Sequence, residues 1–390
     1  MDRNNKHSLA LIGLLFILIV GGVFYGKYIP FQTDSLIATA ETAFSTNCSN
    51  NHPVHTSLAQ SDDPILQKLA EYEAVCHGSV VDQLMMFAAM PTSETEASQS
   101  ATDITSELKD FAVEGITPLV VFEPSSTSPT VITDIKNGTY DTVTSDYYRL
   151  LKKQGVTDAQ MGTWVLFPEA NSPSWEITDP ATFTANVTKV ATMQKQVFPD
   201  SKVSIMLNSE TYPDNDVSWS HGAYKSLVPY VTNIPKGLVD SFGLQGFPEP
   251  PQANEPRDNS QLVVSHFLPV NLAANAAKQL GTSDIWLNTG TFKHMYTNDP
   301  AAEVSLSTAQ RQSMLDSIAT AAEQLKQQSF HVSVNLFAQD KSQTDENTDW
   351  SYWQTGHADT SPDTHVFDMF VRQLRASGIG FSLYDQVGTN

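Results

Sequence analysis

The chain has 390 residues, with 43 acidic against 22 basic side chains and a formal net charge of −21. A surface of that sign repels phosphate backbones and polyanionic polymers, so nucleic acid is excluded as an expected partner, while a neutral polysaccharide is compatible with it. Two cysteines, Cys48 and Cys76, exclude a disulfide-dense scaffold and leave either one bridge or two unpaired thiols.

Ser8 to Gly26 is nineteen residues without a charge, dominated by Leu, Ile, Val and Phe. That is close to the ~20 residues a helix needs to cross the hydrocarbon core. Arg3 and Lys6 precede it, which by the positive-inside rule places the N-terminus in the cytoplasm. The expectation is an uncleaved single-pass anchor, with the membrane as a partner and the C-terminal domain extracellular; a cleaved signal peptide is the competing reading. Ile29 to His55, rich in Ser, Thr and Asn without a sustained period, reads as a spacer. Pro64 to Val75 places Ile65, Leu66, Leu69, Tyr72 and Val75 at helical spacing, a lead-in helix. His77 beside Cys76 is too little for a metal site. No metal-ligand spacing, phosphate loop or dinucleotide fingerprint occurs, so neither metal nor cofactor is expected. The division is 1–28 as cytoplasmic stub and anchor, 29–63 as spacer and 64–390 as one barrel domain.

Eight apolar runs follow and read as strands: Val80–Ala88, Ile116–Phe122, Gly162–Phe167, Lys202–Leu207, Val239–Phe247, Asp284–Asn288, His331–Phe337 and Gly378–Tyr384. Helical patterns lie between most of them. In Thr308–Gln328, Met314, Leu315, Ile318, Ala322 and Leu325 share one face, and Ser307 with Gln310 forms a capping box. Strand–helix alternation predicts a parallel sheet, and eight strands predict an α/β fold closed into a (β/α)8 barrel behind the N-terminal transmembrane helix. In such a barrel, chemistry sits at the C-terminal ends of the strands.

The most informative stretch is Gly162–Trp175, GTWVLFPEANSPSW. A strand delivers Glu169 to its C-terminal end, followed by Asn171 and Trp175. A carboxyl can protonate a glycosidic oxygen, an amide can hold a hydroxyl, and an indole can cover the apolar face of a sugar ring. Upstream, Gly138 and Asp141 mark a turn into a helix carrying Val143, Tyr147, Leu150 and Leu151, closed by Gly155. This helix, the strand, and the Pro168-Glu169-Ala170-Asn171 run that ends it resemble glycoside hydrolase family 26, the β-mannanase-like group. Two further runs are similar to strands of that family: Pro235–Phe247, PKGLVDSFGLQGF, and Ile285–Gly290, IWLNTG. The resemblance covers roughly Val80 to Tyr384. It implies a barrel acting on β-linked, mannan-like polysaccharide, with Glu169 as general acid/base.

The resemblance also locates three departures. The family carries a nucleophilic Glu where Asn288 stands, a His where Pro168 stands and a Tyr where Phe247 stands. An amide cannot form a glycosyl ester, so a different second carboxylate is required. Glu249 in GFPEP and Glu210 in LNSETY rank first, because their strands lie between those of Glu169 and Asn288. Glu123 in FEP reads as a loop-ordering or sugar-binding residue. Asn171, Trp175, Trp219, Asn288 and Tyr384 are the candidate substrate-binding residues. Trp350 and Trp353, like Trp219, lie in polar loops where stacking on sugar would explain an exposed ring, whereas Trp286 inside an apolar strand reads as core. The family places its two glutamates after strands four and seven, whereas here Glu169 follows the third run and Asn288 ends the sixth. This predicts one further early strand, between Met90 and Thr102 or between Ser125 and Thr133. The expected function is a membrane-anchored glycoside hydrolase-like protein that acts on or binds β-linked glycan. A catalytically inactive glycan-binding barrel and a surface scaffold or adhesion module are the alternatives.

Overall fold

A computed structural model describes residues 81–124, 128–171, 179–209, 226–248, 263–295, 303–338, 348–352 and 362–384, together with Ala70 and Glu73. All belong to the compact unit Asn47–Asn390. The barrel strands are β1 (Gln83–Met90), β2 (Thr117–Pro124), β3 (Thr163–Leu166), β4 (Lys202–Asn208), β5 (Ser241–Gln245) and β6 (Asp284–Thr289). Two short strands, β7 (His294–Met295) and β8 (Val304–Ser305), intervene before β9 (His331–Phe337); β10 (Thr348–Asp349) precedes β11 (Gly380–Tyr384). The closed barrel runs β1-β11-β9-β6-β5-β4-β3-β2, and every pair in it is parallel. The short strands form a separate antiparallel sheet, β10-β7-β8.

These eight barrel strands fall on the eight apolar runs. The further early strand does not exist among the described residues. The segment after β1 enters the helix Glu94–Glu114, and the segment after β2 enters the helix Pro129–Asn137. The seam closes between β1 and β11, where Asp82 N–H donates to the Phe381 carbonyl at 2.8 Å and the Phe381 N–H donates to the Asp82 carboxylate at 2.9 Å. Glu169 therefore follows the third barrel strand, and Asn288 lies on the sixth.

The described helices bury one stripe against the sheet and leave charge on the other. Glu94–Glu114 buries Ala97, Ala101, Ile104, Leu108 and Phe111, and its first turn carries Glu94 and Glu96. No helix among the described residues is long and apolar enough to cross a membrane. This overturns the expectation of a single-pass anchor with an extracellular domain; the run Ser8–Gly26 on which it rested lies outside the described residues. The spacer, Cys48 and Cys76 lie outside them as well. Of the lead-in segment, Ala70 and Glu73 are described, and both are helical and buried.

Helix Thr308–Gln327 begins at the expected capping box: Ser307 Oγ accepts from Gln310 N–H at 3.3 Å, and Gln310 Oε1 accepts from Ser307 N–H at 2.9 Å. Ser307→Ala should lower stability by about 1 kcal/mol in urea unfolding.

Inside the barrel, Met85, Leu119, Val121, Val165, Met206 and Trp286 pack together. Trp286 is core, as its strand predicted. Its indole Nε1 donates to Ser204 Oγ at 2.8 Å, and a Cβ at Gly243 would lie 2.5 Å from its ring. Glycine on β5 is thus what admits an indole across the barrel interior.

Candidate active site

The chain leaves β3 in a strained turn. Phe167 has φ 51° and Glu169 has φ 55°, both left-handed, and Phe167 also precedes Pro168, where that region is further disfavoured. Strained backbone of this kind persists only where surrounding structure holds it, and it concentrates at functional sites. Here two backbone bonds hold it: Phe167 N–H donates to the Phe122 carbonyl of β2 at 3.2 Å, and Glu169 N–H donates to the Met206 carbonyl of β4 at 2.9 Å. Glu169 is thereby wedged between the ends of β2 and β4, half-buried at the C-terminal mouth of the barrel.

Its surroundings are a carboxyl on one side and amides on the other. Glu123, the next-to-last residue of β2, lies within electrostatic reach. The Gln245 and Asn208 side chains lie within hydrogen-bonding reach of the Glu169 carboxyl. Burial pushes the Glu169 carboxyl above the usual carboxylate range, while these two donors pull it partly back. Glu123 is also pushed upward, first by burial and then by the charge of Glu169. The two form a coupled pair that ionises in two steps. The donors favour the ionised form of Glu169, and its charge favours the protonated form of Glu123.

The amides come from one row of the barrel. Ladder register aligns Asn208 with Gln245, Gln245 with Asn288, and Asn288 with Asn335. Paired residues of parallel strands point to the same face, here the interior. Asn288 Nδ2 donates to Gln245 Oε1 at 2.6 Å, and Asn335 Nδ2 donates to Asn288 Oδ1 at 2.6 Å. Asn288 and Asn335 are fully buried, and Gln245 is nearly so.

Glu169 and Asn288 thus share the C-terminal mouth, bridged by Gln245. Asn171, expected to hold a sugar hydroxyl, is buried and engaged with backbone. Its Nδ2 donates to the Asn208 carbonyl at 2.7 Å, and its Oδ1 accepts from Asn208 N–H at 2.8 Å. It clamps the loop after β3 to the end of β4. Asn288, expected to meet substrate, has both ends of its amide occupied by neighbours. Trp350 is buried in an aromatic cluster with Phe247, Phe292 and Phe337, at ring-centroid distances of 5.3–6.0 Å. It is therefore core and not a plate exposed for sugar. Phe247 fills the same cluster, so the ring at this position packs. Tyr384 ends β11. Glu210, Glu249, Trp175, Trp219 and Trp353 lie outside the described residues.

Sequence reasoning gave Glu123 a lesser role and did not single out Asn208, Gln245 or Asn335. A signal for them existed: each is a lone amide near the C-terminal end of an otherwise apolar strand run. The end of β5 is also tightly fitted. A Cβ at Gly246 would lie 1.8 Å from the Phe267 carbonyl oxygen, which itself accepts from Ser209 Oγ at 2.6 Å. Gly246→Ala should cost about 1–3 kcal/mol, read as a lowered midpoint of thermal unfolding.

No protein-family model matches the chain. No curated protein matches it. Solved structures do. A family 1 β-glucosidase from Thermotoga maritima superposes with a TM-score of 0.51 at 10% identity, covering 83% of this chain and 92% of that one. A β-glucosidase from the same organism in complex with castanospermine superposes with a TM-score of 0.50 at 11% identity, covering 82% and 92%. At such identity the likeness establishes the fold alone, a (β/α)8 barrel. Family 26 in particular is not singled out by these comparisons.

Proposed function

We propose that the barrel hydrolyses a β-linked glycan at its C-terminal mouth, with Glu123 and Glu169 as the two working carboxyl groups. The observation that carries this reading is the coupled pair itself. It sits at neighbouring strand ends, burial raises both members, and the charge of Glu169 raises Glu123 further. Glycosidic cleavage needs one carboxyl protonated and one ionised at the same pH. This reading exchanges the roles expected from the sequence, where Glu169 was the general acid: Glu169 is the ionised base or nucleophile, and Glu123 is the protonated donor to the leaving oxygen. Glu123 supplies the second carboxyl of the pair, for which Glu249 or Glu210 was first considered in the role of base. The shared fold with a β-glucosidase supports a glycan as substrate, and the family 26 resemblance supports a mannan-like polymer within that class.

The test is a panel of β-mannan, β-glucan and aryl β-glycosides, assayed by reducing-end release and by NMR of the newly formed anomeric centre. Hydrolysis lost in both Glu123→Gln and Glu169→Gln supports the pair. Hydrolysis that survives Glu169→Gln would sink it. A second reading is favoured by Asn288. Where the family resemblance expects a nucleophile, the chain has an amide tied into a buried row. A barrel that binds glycan without cleaving it would show saturable calorimetric binding and no product on the same panel.

A further inference from the structure

We propose that Gln245, Asn288 and Asn335 form a positioning file that orients the Glu169 carboxyl and holds it as a hydrogen-bond acceptor. This rests on Glu169 being the chemical centre of the mouth, but not on any particular substrate.

The direction of the file follows from donor and acceptor identity. Asn335 Nδ2 donates to Asn288 Oδ1, and Asn288 Nδ2 donates to Gln245 Oε1, each at 2.6 Å. With its oxygen turned to Asn288, Gln245 offers its Nε2 hydrogens to Glu169. Both amide-to-amide bonds in the file therefore donate toward the carboxyl. A file running the other way would set Gln245 Oε1 against Glu169, and two acceptors in contact are tolerated only if the carboxyl carries a proton.

The far end does not impose this direction. Asn335 Oδ1 is buried without a hydrogen-bond partner among the described residues, and Asn335 Nδ2 otherwise reaches only the Met85 sulfur at 3.8 Å, a weak acceptor. An unpartnered buried carbonyl oxygen is unfavourable by itself. The orientation that leaves it so is the one that delivers a donor to Glu169. The ionised carboxylate, which gains most from a donor, is thus the group that aligns the file. Burial of all three amides keeps water from competing for the same bonds. The titratable neighbour that β2 presents to Glu169 is Glu123; β4 and β5 present Asn208 and Gln245.

Such a file makes Asn288 act on Glu169 only through Gln245. The probe is the Glu169 side-chain carboxyl carbon, labelled with 13C, identified by its loss in Glu169→Gln and followed by NMR against pH. Gln245→Met removes the donor and should move the Glu169 titration upward by roughly one pH unit, the size expected for a hydrogen bond to a charged group. Asn288→Met should move it in the same direction by less, because Gln245 is then free to turn. In the double variant, Asn288→Met should add nothing to Gln245→Met. An Asn288→Met effect that persists in the Gln245→Met background would overturn the proposal, as would a titration unmoved by Gln245→Met. The unsubstituted protein provides an independent reading if a variant does not fold. The Gln245 side-chain amide resonances should titrate with the same midpoint as the Glu169 carboxyl, and amides indifferent to that midpoint would overturn the file. None of these readouts needs turnover, so a failure here is distinct from a failure of the glycan reading.

Discussion

Arg311→Met should destabilise the protein by about 3–5 kcal/mol, the loss expected when one partner of a buried ion pair is removed. Arg311 is fully buried on helix Thr308–Gln327. Its Nη1 pairs with Asp363 at 3.2 Å and donates to the Ser351 carbonyl at 2.9 Å. Its Nη2 donates to the carbonyls of Thr291 at 2.9 Å and Trp350 at 3.3 Å, and the guanidinium lies 4.1 Å from the centre of the Tyr352 ring. One side chain therefore satisfies three loop carbonyls and a carboxylate. Methionine fills similar volume, so packing is largely kept while those acceptors lose their donors. Asp363, nearly buried, would retain Thr308 Oγ1 at 3.0 Å and Lys293 at 3.9 Å. That incomplete replacement places the expected loss in this range. Equilibrium urea unfolding measures it as a fall in midpoint, and a change under about 1 kcal/mol would show that the network contributes little.

Arg311 also shows what was legible in the sequence and what was not. The helix was readable from Met314, Leu315, Ile318, Ala322 and Leu325, and its start from Ser307 and Gln310. Position 311 stands three and four residues before Met314 and Leu315, on the same buried face. Periodicity thus places an arginine in the core, but its partners come from loops around residues 291 and 350, which local pattern cannot join to the helix. The barrel was legible for the same reason the helix was: each strand is an apolar run bounded by breakers. The expected ninth strand arose from counting against a resembled family. Closure of the barrel through β11 and β1 is a pairing between distant ends of the chain, which local sequence does not display. At the site, Glu169 was legible because it follows an apolar strand. Its carboxyl partner was not, since Glu123 lies more than forty residues upstream and the two meet only once β2 and β3 pair side by side. Asn171 and Asn288 were found as polar residues at strand ends. Whether such an amide faces a ligand or its neighbours depends on register, and register is set by tertiary pairing.

Replacing either member of the carboxyl pair should lower turnover by roughly 10²–10⁴-fold, the usual contribution of a positioned acid or base. The two replacements should nevertheless be distinguishable. If Glu123 donates the proton, Glu123→Gln should harm substrates with poor leaving groups far more than aryl glycosides, whose leaving oxygen needs little protonation. It should also remove the high-pH limb of the rate profile. If Glu169 is the ionised member, Glu169→Gln should harm both substrate types alike and remove the low-pH limb. Exchanged patterns would reverse the two roles while keeping the pair. Stability should move the opposite way. Both carboxyls are raised in the folded protein above their ordinary values. As pH rises, the unfolded chain ionises first, so it binds fewer protons than the fold and stability falls across the window from the ordinary carboxylate range up through the raised one. A neutral glutamine removes that penalty. Glu123→Gln and Glu169→Gln should each stabilise the protein at neutral pH by roughly 0.5–2 kcal/mol. They should also flatten the decline of the unfolding midpoint with pH, and leave the fold near pH 3 little changed. A variant both inactive and less stable at neutral pH would mean that the carboxyl is held for structure, because a group kept for chemistry against its own solvation should release stability when it is neutralised.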